Sequence, residues 1–286
     1  MKEFTKSAPE TVIEATHGLS FVSWRELHAY RDLLWILVWR DIASRYKQTV
    51  LGLFWFVVQP VLTTIVFMVI FERVARIPTN GVPSSLFYLC GLLPWNYFAQ
   101  TFQSTSNSLT TNAGMFGKVY FPRLIVPFSS AISNLVPLAI QLGTFLVLFA
   151  LEKLGPRSGS YGMDPSAALL PLVFAQVGFL SLGIGLWIAA LTAKFRDFGI
   201  LAGFVLQLWM YVTPVVYPLS RVPDRWYWLA ALNPMTFPLE ATKEMLLGAG
   251  TPTGNLFFLS LATTLAVLAG GILVFRQVEK TFVDVI

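Results

Sequence analysis

The longest stretches without a charged residue decide which solvent this chain can fold in. Six runs contain no Asp, Glu, Lys or Arg, and the shortest of them is 23 residues long. A helix needs roughly 20 residues to cross the ~30 Å hydrocarbon core of a bilayer, so every run is long enough to span. The runs cover residues 48–71, 77–117, 124–151, 165–193, 198–220 and 245–275.

The composition supports the same solvent. Charged residues make up 12% of the chain and apolar residues 55%, whereas soluble domains contain about 25% charged residues. In lipid only helices and closed barrels satisfy their own backbone, and these runs lack the ~10-residue alternation of barrel strands. We therefore predict an all-α integral membrane protein with six transmembrane helices. The predicted regions are a cytoplasmic segment 1–23, an interfacial helix 24–47, a transmembrane domain 48–276 and a cytoplasmic tail 277–286.

The helix predicted over residues 24–47 is too short in its apolar part to cross a membrane. Its uncharged segment, Leu33–Trp39, has seven residues between Asp32 and Arg40. Charges at both ends, with tryptophans between them, are typical of an amphipathic helix that lies in the membrane interface. An ordinary cytosolic helix packed on the bundle is the alternative.

Lysine and arginine are distributed unequally between the two sides of the predicted bundle. With both termini cytoplasmic, 13 of the 20 basic residues lie on the cytoplasmic side and 7 on the other. This bias follows the positive-inside rule and explains the net charge of +5 better than a nucleic-acid partner does. Residues 1–23 also lack the apolar core of a cleaved signal peptide. We expect a multi-pass membrane protein with both termini in the cytoplasm.

Two segments predict how the helices pack. Ser181, Gly185 and Ala189 recur every four residues, which lets a neighbouring helix approach closely. Between residues 222 and 250, by contrast, prolines interrupt apolar pieces that are too short to span. We predict short re-entrant helices there, before the last span, with their backbone buried in protein.

Glu240 and Glu244 lie on one helical face within that segment, and Lys243 is three residues from Glu240, close enough to pair with it. A carboxylate pair would suit a membrane-embedded glycosyl-transfer enzyme. We favour the alternative that these are interfacial charges that keep a short helix near water.

The chain lacks the chemistry that would power transport by itself. The nearest fragment to a phosphate-binding loop, Gly117-Lys118-Val119, has neither the hydroxyl residue nor the upstream glycine. The uncharged runs hold none of the ionisable groups on which proton- or sodium-coupled carriers depend. With His17 and His28 as the only histidines, we expect neither a catalytic nor a metal site.

Four motifs carry a resemblance to a known family. They are RYKQTVLGLFW at 45–55 followed by QP at 59–60, KVYFPR at 118–123, FRD at 195–197 and NPM at 233–235. Their order and spacing resemble the permease subunit of type-2 ABC exporters, in the branch that exports O-antigen, capsular or teichoic polysaccharides. Thr49 stands where that pattern often has serine.

The resemblance implies a homodimer that works with two copies of a separate ATPase subunit. ATP and Mg would then bind that partner, and this chain would need no cofactor. The chain would form the channel that carries a polysaccharide such as O-antigen, with or without its lipid carrier, across the bacterial inner membrane. A smaller lipid or drug is the alternative cargo. Charged cytoplasmic turns would contact the ATPase, or anchor loops to headgroups; they contain Lys118, Tyr120, Arg123, Phe195, Arg196 and Asp197.

Aromatic side chains are the candidate lining of the channel. Rings can stack on sugar faces through many weak contacts, which would let a long glycan slide. Core packing and interfacial belts are the alternative roles for the same rings. The predicted channel residues are Trp55, Gln59, Phe98, Phe102, Trp209 and Tyr211.

Overall fold

The computed structural model describes residues 28–46, 52–116, 121–155 and 161–282. Every regular element in these ranges is helical, which confirms the predicted all-α class. The main helices are α1 Arg31–Tyr46, α2 Trp55–Phe67, α3 Ser84–Ser106, α4 Ser108–Thr111, α5 Ala113–Phe116, α6 Ile125–Ser133, α7 Leu135–Leu154, α8 Leu170–Lys194, α9 Asp197–Val212, α10 Asp224–Leu232, α11 Thr236–Leu247 and α12 Gly254–Phe282.

Four helical segments are long and apolar enough to cross a membrane: Trp55–Val74, Ile125–Leu154, Pro165–Lys194 and Gly254–Glu279. The other two predicted spans correspond to α3 and α9. Helix α9 is apolar but has only 16 residues, and α3 is long but carries glutamine, serine and threonine in its second half. The count of six spans therefore stays a prediction.

Contacts along α3 establish the direction of its neighbours. Tyr97 lies against Gly178 and Thr105 against Gly185, so α3 and α8 run parallel. On another side of α3, Asn96 donates a hydrogen bond to Gln141. Thr101, further along α3, accepts one from Asn134, which precedes Gln141 in the chain. Helix α7 is therefore antiparallel to α3.

Helices α9 and α12 complete this up-and-down arrangement. Trp209 packs on Phe98 while Gly203 lies nearest to Gln103, so α9 is antiparallel to α3. Gln176 bonds Ser260 and Gly183 meets Leu268, so α12 is parallel to α8. The carboxyl-terminal part of α12 and helix α1 consequently lie at one end of the bundle, which we call the termini end.

Helix α3 lies at the centre of the core. Its first half, from Leu86 to Phe98, is almost wholly buried, and it packs against α2, α7, α8, α9 and α11. Two of its polar side chains have partners on the neighbouring segment: Asn134 donates to Thr101 at 3.2 Å, and Asn96 donates to Gln141 at 3.0 Å. A polar helix is tolerated at membrane depth when its neighbours provide such partners.

Helix α1 has apolar residues on two faces. Leu37 and Val38 are buried, and Leu37 packs with Ile125 at the start of α6. Trp35 and Trp39 are 61% and 72% exposed. The helix therefore packs on the bundle, as the cytosolic alternative requires. Its position in the membrane interface stays a prediction, with which the exposed tryptophans agree.

The first apolar segment ends in an irregular helix that the sequence did not predict. Helix α2 contains Pro60 and continues to Phe67 without a break. Residues Met68–Val74 then form a wider π-helical segment that carries Glu72 and Arg73. Such segments mark places where the regular hydrogen-bond ladder is interrupted. The two charged residues therefore lie where the helix changes type, at the end of the apolar segment.

Close contact of α8 with α12 and α3 depends on missing side chains. A Cβ atom on Gly183 would lie 2.8 Å from the Leu268 backbone, and one on Gly185 would lie 2.6 Å from Thr105. The carbonyl of Gly183 is in turn approached by Gly271. The small-residue spacing around Gly185 thus marks a close helix contact, as predicted.

Gly183→Ala should lower the thermal unfolding midpoint of the purified protein in detergent. The added methyl forces the backbones of α8 and α12 apart, a change that costs about 1–3 kcal/mol. Gly143→Ala is the matched control, because no atom lies within 4 Å of its Cβ position and alanine favours a helix over glycine. Equal midpoints for the two variants would contradict the close contact.

Candidate functional site

Three of the predicted channel residues form one aromatic cluster inside the bundle. Phe98 stacks on Phe102 with centroids 6.1 Å apart and 14° between planes, which confirms that the two share a face of α3. The Trp209 ring meets Phe98 edge-on at 5.2 Å. Because Phe98 is fully buried and Phe102 is 4% exposed, this cluster joins α3 to α9 within a single chain.

The other three predicted channel residues are exposed. Trp55 and Tyr211 have about half of their surface accessible, at 49% and 50%. Gln59 is exposed one turn beyond Trp55, at the rim of a polar cavity of about 630 Å³. The structure therefore separates the six residues into a buried group and an accessible group.

The Asn-Pro-Met motif connects the end of α9 to the start of α11. Asn233 Nδ2 donates to Thr213 Oγ1 at 2.8 Å, and its Oδ1 accepts from the Met235 N–H at 3.0 Å. The same Oδ1 accepts from Trp209 Nε1 at 3.2 Å. The Asn233 amide thus makes three hydrogen bonds. Its bond to Trp209 fixes the position of that ring in the aromatic cluster.

The turn between α8 and α9 is short and accessible. Phe195, Arg196 and Asp197 are all exposed. Asp197 lies in the first turn of α9, where a negative charge complements the helix dipole. Because α8 is parallel to α12, this turn protrudes at the termini end of the bundle.

Arg123 lies at the same end but is held inside the protein. It is 8% exposed. Its N–H donates to Glu279 Oε1 at 3.1 Å and its Nη1 to the Glu279 carbonyl at 2.8 Å, while the guanidinium lies 5.4 Å from the centre of the Phe116 ring. Lys118 and Tyr120, its predicted companions in coupling, lie outside the described residues.

An ion pair lies buried near the opposite end of the bundle. Lys243 Nζ and Glu240 Oε1 are 3.3 Å apart, which confirms the predicted pairing, yet the two side chains are 0% and 1% exposed. For Glu240, the expectation of an interfacial charge near water was therefore wrong. Lys243 also donates to the carbonyls of Pro214 and Tyr217 and lies 4.6 Å from the centre of the Phe87 ring.

The two glutamates of this region both bind groups of the chain. Glu240 Oε2 accepts from the N–H and the hydroxyl of Thr251, at 3.0 and 3.2 Å. Glu244 Oε2 accepts from the Gly250 N–H at 3.0 Å. Carboxylates bound in this way hold the turn after α11, and they do not form the open pair that acid–base catalysis requires.

A capped turn outside the spans precedes α8. The Ser166 N–H donates to Asp164 Oδ1 at 2.7 Å, and hydrogen bonds from the side chain and backbone of Ser166 hold the pKa of Asp164 below its ordinary value. Hydrogen bonds to a charged form favour that form. The carboxylate therefore stays ionised where the helix begins.

Comparison with known proteins places the chain in a family. The family described as "ABC-2 type transporter" matches residues 32–247. The chain belongs to the ABC-2 type transporter family. Its matched region runs from α1 to the end of α11, so it includes the exposed FRD turn, the Asn-Pro-Met motif and the buried ion pair.

Curated relatives in this ABC-2 family extend over most of the chain. The O-antigen export system permease protein RfbA of Myxococcus xanthus is 32% identical over 74% of this chain and 78% of its own length. A protein of the same name from Klebsiella pneumoniae is 24% identical over 89% and 95%. The polysialic acid transport protein KpsM of Escherichia coli is 22% identical over 84% and 91%.

Family membership decides between the two classes of function that the sequence left open. These relatives are named as permease and transport proteins, and the site contains carboxylates that bind the chain itself. This ABC-2 family member is a transport subunit, and a glycosyl-transfer enzyme built on Glu240 and Glu244 is not supported. Among the residues that the structure describes, no group of three His, Cys, Asp or Glu side chains is arranged to hold a metal ion.

Lys243→Met should destabilise the protein strongly, because it leaves Glu240 as a buried charge without its cation. Removing one partner of a buried pair costs about 3–5 kcal/mol. Thermal unfolding in detergent measures the loss, and the double variant Lys243→Met with Glu240→Gln should recover part of it. Arg31→Met is the control, since its pair with Asp32 is exposed. A single variant as stable as this control would disprove the structural role.

Proposed function

We propose that this chain is the transmembrane subunit of an ABC exporter that carries a polysaccharide such as O-antigen across the bacterial inner membrane. The observation that carries the proposal is the match of the ABC-2 family over residues 32–247, together with relatives named for O-antigen export and polysialic acid transport. The 286 residues contain no phosphate-binding loop, so in this proposal the energy comes from another subunit.

Six spans with both termini in the cytoplasm are part of this proposal. Helices α3 and α9 run in alternating directions among the four spanning segments. Helix α3 is more polar than those segments, because it is enclosed by protein rather than lipid. Helix α9 is as apolar as they are but shorter. The termini end would then be cytoplasmic, and α10 and α11 would be the short re-entrant helices of the outer leaflet.

The proposed assembly contains two copies of this chain and two copies of an ATPase subunit. The exposed tip made by Phe195, Arg196 and Asp197 supports an ATPase contact at the termini end. Arg123 lies at that same end, and its hydrogen bonds to Glu279 connect the last residue of the predicted Lys118–Arg123 turn to the last helix. Motion of the ATPase would reach α12 through this link.

The glycan channel would lie between the two copies. Helix α9 presents a row of exposed apolar side chains in which Phe204, Leu208 and Tyr211 are each half accessible. Tyr211, Trp55 and Gln59 would contact the glycan, through stacking and hydrogen bonds. The buried Phe98, Phe102 and Trp209 would support this surface from behind. A channel that holds each sugar weakly at many rings lets a long polymer move.

The test of this function is transport by the assembled complex. Inside-out vesicles that contain the chain and its partner ATPase should take up a labelled polysaccharide only when ATP is present. Vesicles with the chain alone should hydrolyse no ATP and take up no polymer. Uptake without ATP, or ATP hydrolysis by the chain alone, would overturn the proposal, and uptake of small lipids or drugs in place of the polymer would favour the alternative cargo.

Arg196→Glu should weaken ATPase binding and reduce ATP-dependent uptake by at least tenfold. The substitution reverses the charge of the exposed tip, and a like-charge contact at an interface is costly. Arg221→Glu, an exposed arginine at the opposite end, is the matched control. Co-purification of a tagged ATPase and the uptake rate provide the readouts. A normal rate for Arg196→Glu with a loss for Arg221→Glu would reverse the proposed orientation.

Tyr211→Ala should slow uptake of the polymer severalfold and leave ATPase binding unchanged. The substitution removes a ring from the proposed glycan contact. The stacking of one aromatic pair contributes about 0.5–1.5 kcal/mol, and we expect a loss of this size. Phe258→Ala is the control, because this ring is 69% exposed on α12 and lies outside the proposed channel. Equal uptake by the two variants would remove Tyr211 from the channel.

A further inference from the structure

Helix α9 is held near its carboxyl end rather than along its length. Among its 16 described residues only Ala202 is buried, and the turn that precedes the helix, residues 195–197, is exposed. Elements with few buried contacts are the parts of a fold that move most easily. The position of α9 therefore depends on what holds its carboxyl end.

The chain that follows α9 is irregular and buried. Residues 213–218 contain no helical turn that continues α9, yet Thr213 and Val215 are both fully buried. The segment lies directly on α3, since a Cβ atom on Gly91 would be 2.6 Å from the Val215 carbonyl oxygen. Buried backbone outside a helix needs partners for its polar groups.

Lys243 supplies partners to two carbonyls of this segment. Its Nζ donates to the carbonyl oxygens of Pro214 and Tyr217, the second at 3.2 Å. The Tyr217 hydroxyl in turn donates at 2.8 Å to the carbonyl of Val212, the last residue of α9. A cation just beyond the carboxyl end of a helix also complements the helix dipole. Lys243 therefore closes this end of α9.

The ammonium of Lys243 is itself fixed in the core. Glu240 Oε1 lies 3.3 Å from Nζ, and the ring of Phe87 on α3 lies with its centre 4.6 Å away. The other oxygen of Glu240 is held by Thr251. Helix α11, which carries Lys243, packs against α3, α8 and α12. The contact with residues 213–218 is thus anchored in the part of the bundle that is packed on several sides.

The donors of Lys243 are used mainly on backbone. An ammonium has three N–H donors, and here two of them bind carbonyls of the segment after α9 while one binds Glu240. A lysine that served only to neutralise Glu240 would need no contact with that segment. The bonding pattern therefore indicates a role in placing α9.

We propose that Lys243 is a positioning residue that holds the carboxyl end of α9 as a fixed pivot. Movement of the ATPase against residues 195–197 then tilts α9 about this end, and the exposed side chains of Phe204, Leu208 and Tyr211 change their position along the channel. Lys243 acts through the backbone of residues 213–218 and does not touch the glycan. The proposal rests on the proposed function, in which α9 lines the channel.

The test uses a variant that removes the pivot without leaving a buried charge. Lys243→Met combined with Glu240→Gln removes the cation and its anion together, and the carbonyls of Pro214 and Tyr217 lose their donor. Glu244→Gln is the matched control, because Glu244 lies on the same helix but binds Gly250 rather than residues 213–218. Each variant is studied as the complete permease–ATPase complex in nanodiscs.

Hydrogen exchange and the transport ratio are the two readouts. In the double variant the amides at 213 and 215–217 should exchange about tenfold faster, as expected of a segment that opens locally. Polymer uptake per ATP hydrolysed should fall severalfold while hydrolysis continues. A residue needed only for folding would lower the amount of intact complex but not this ratio. Unchanged exchange and an unchanged ratio, or an equal loss in Glu244→Gln, would overturn the proposal.

A second variant covers failure of the double variant to assemble. Tyr217→Phe keeps the buried ion pair and removes the hydrogen bond from the segment to the end of α9. It should lower the transport ratio in the same direction, by a smaller factor, and a ratio equal to that of the wild type would overturn the pivot.

The exchange measurement also separates this proposal from the proposed function. A wild-type complex that never takes up polymer would overturn the proposed function. Amides at 213–217 that are protected in that complex and lose protection in the double variant would still support the hold of Lys243 on α9.

Discussion

The fold depends on one constraint, that polar groups at membrane depth must find their partners inside the protein. Helix α3 carries a run of such groups in its second half and lies at the centre of the core, in contact with α2, α7, α8, α9 and α11. Asn96 bonds Gln141 across to α7, and glycines of α8 leave room for Tyr97 and Thr105. The more apolar helices surround α3, and the aromatic cluster joins it to α9.

The features that depend on local residue patterns could be predicted from the sequence. Long uncharged runs predicted an all-α membrane protein, and four of the runs correspond to spanning helices. The spacing of Phe98 and Phe102 predicted a shared face, which the stacked rings confirm. The other two runs correspond to α3, which is polar in its second half, and to α9, which has only 16 residues. For these two helices a membrane span stays a prediction. In α3 the surrounding protein, rather than the local composition, sets the environment.

Contacts between distant residues could not be predicted in the same way. The pairing of Lys243 with Glu240 followed from their spacing, but its burial depends on the carbonyls of Pro214 and Tyr217, which no periodicity relates to it. Arg123 and Glu279 are 156 positions apart and meet only because α6 and α12 reach the same end. The cavity beside Arg45 is likewise lined by residues from several separate helices, so no single motif in the sequence predicts it.

The partners of Lys243 have a consequence for synthesis of the chain. Phe87, Pro214, Tyr217 and Glu240 all precede it in the sequence. A nascent chain therefore already contains every group needed to neutralise and solvate this cation when the ribosome adds it. The ammonium can be enclosed before the last helix is made, so the translocon need not hold an isolated positive charge against lipid while it waits for α12.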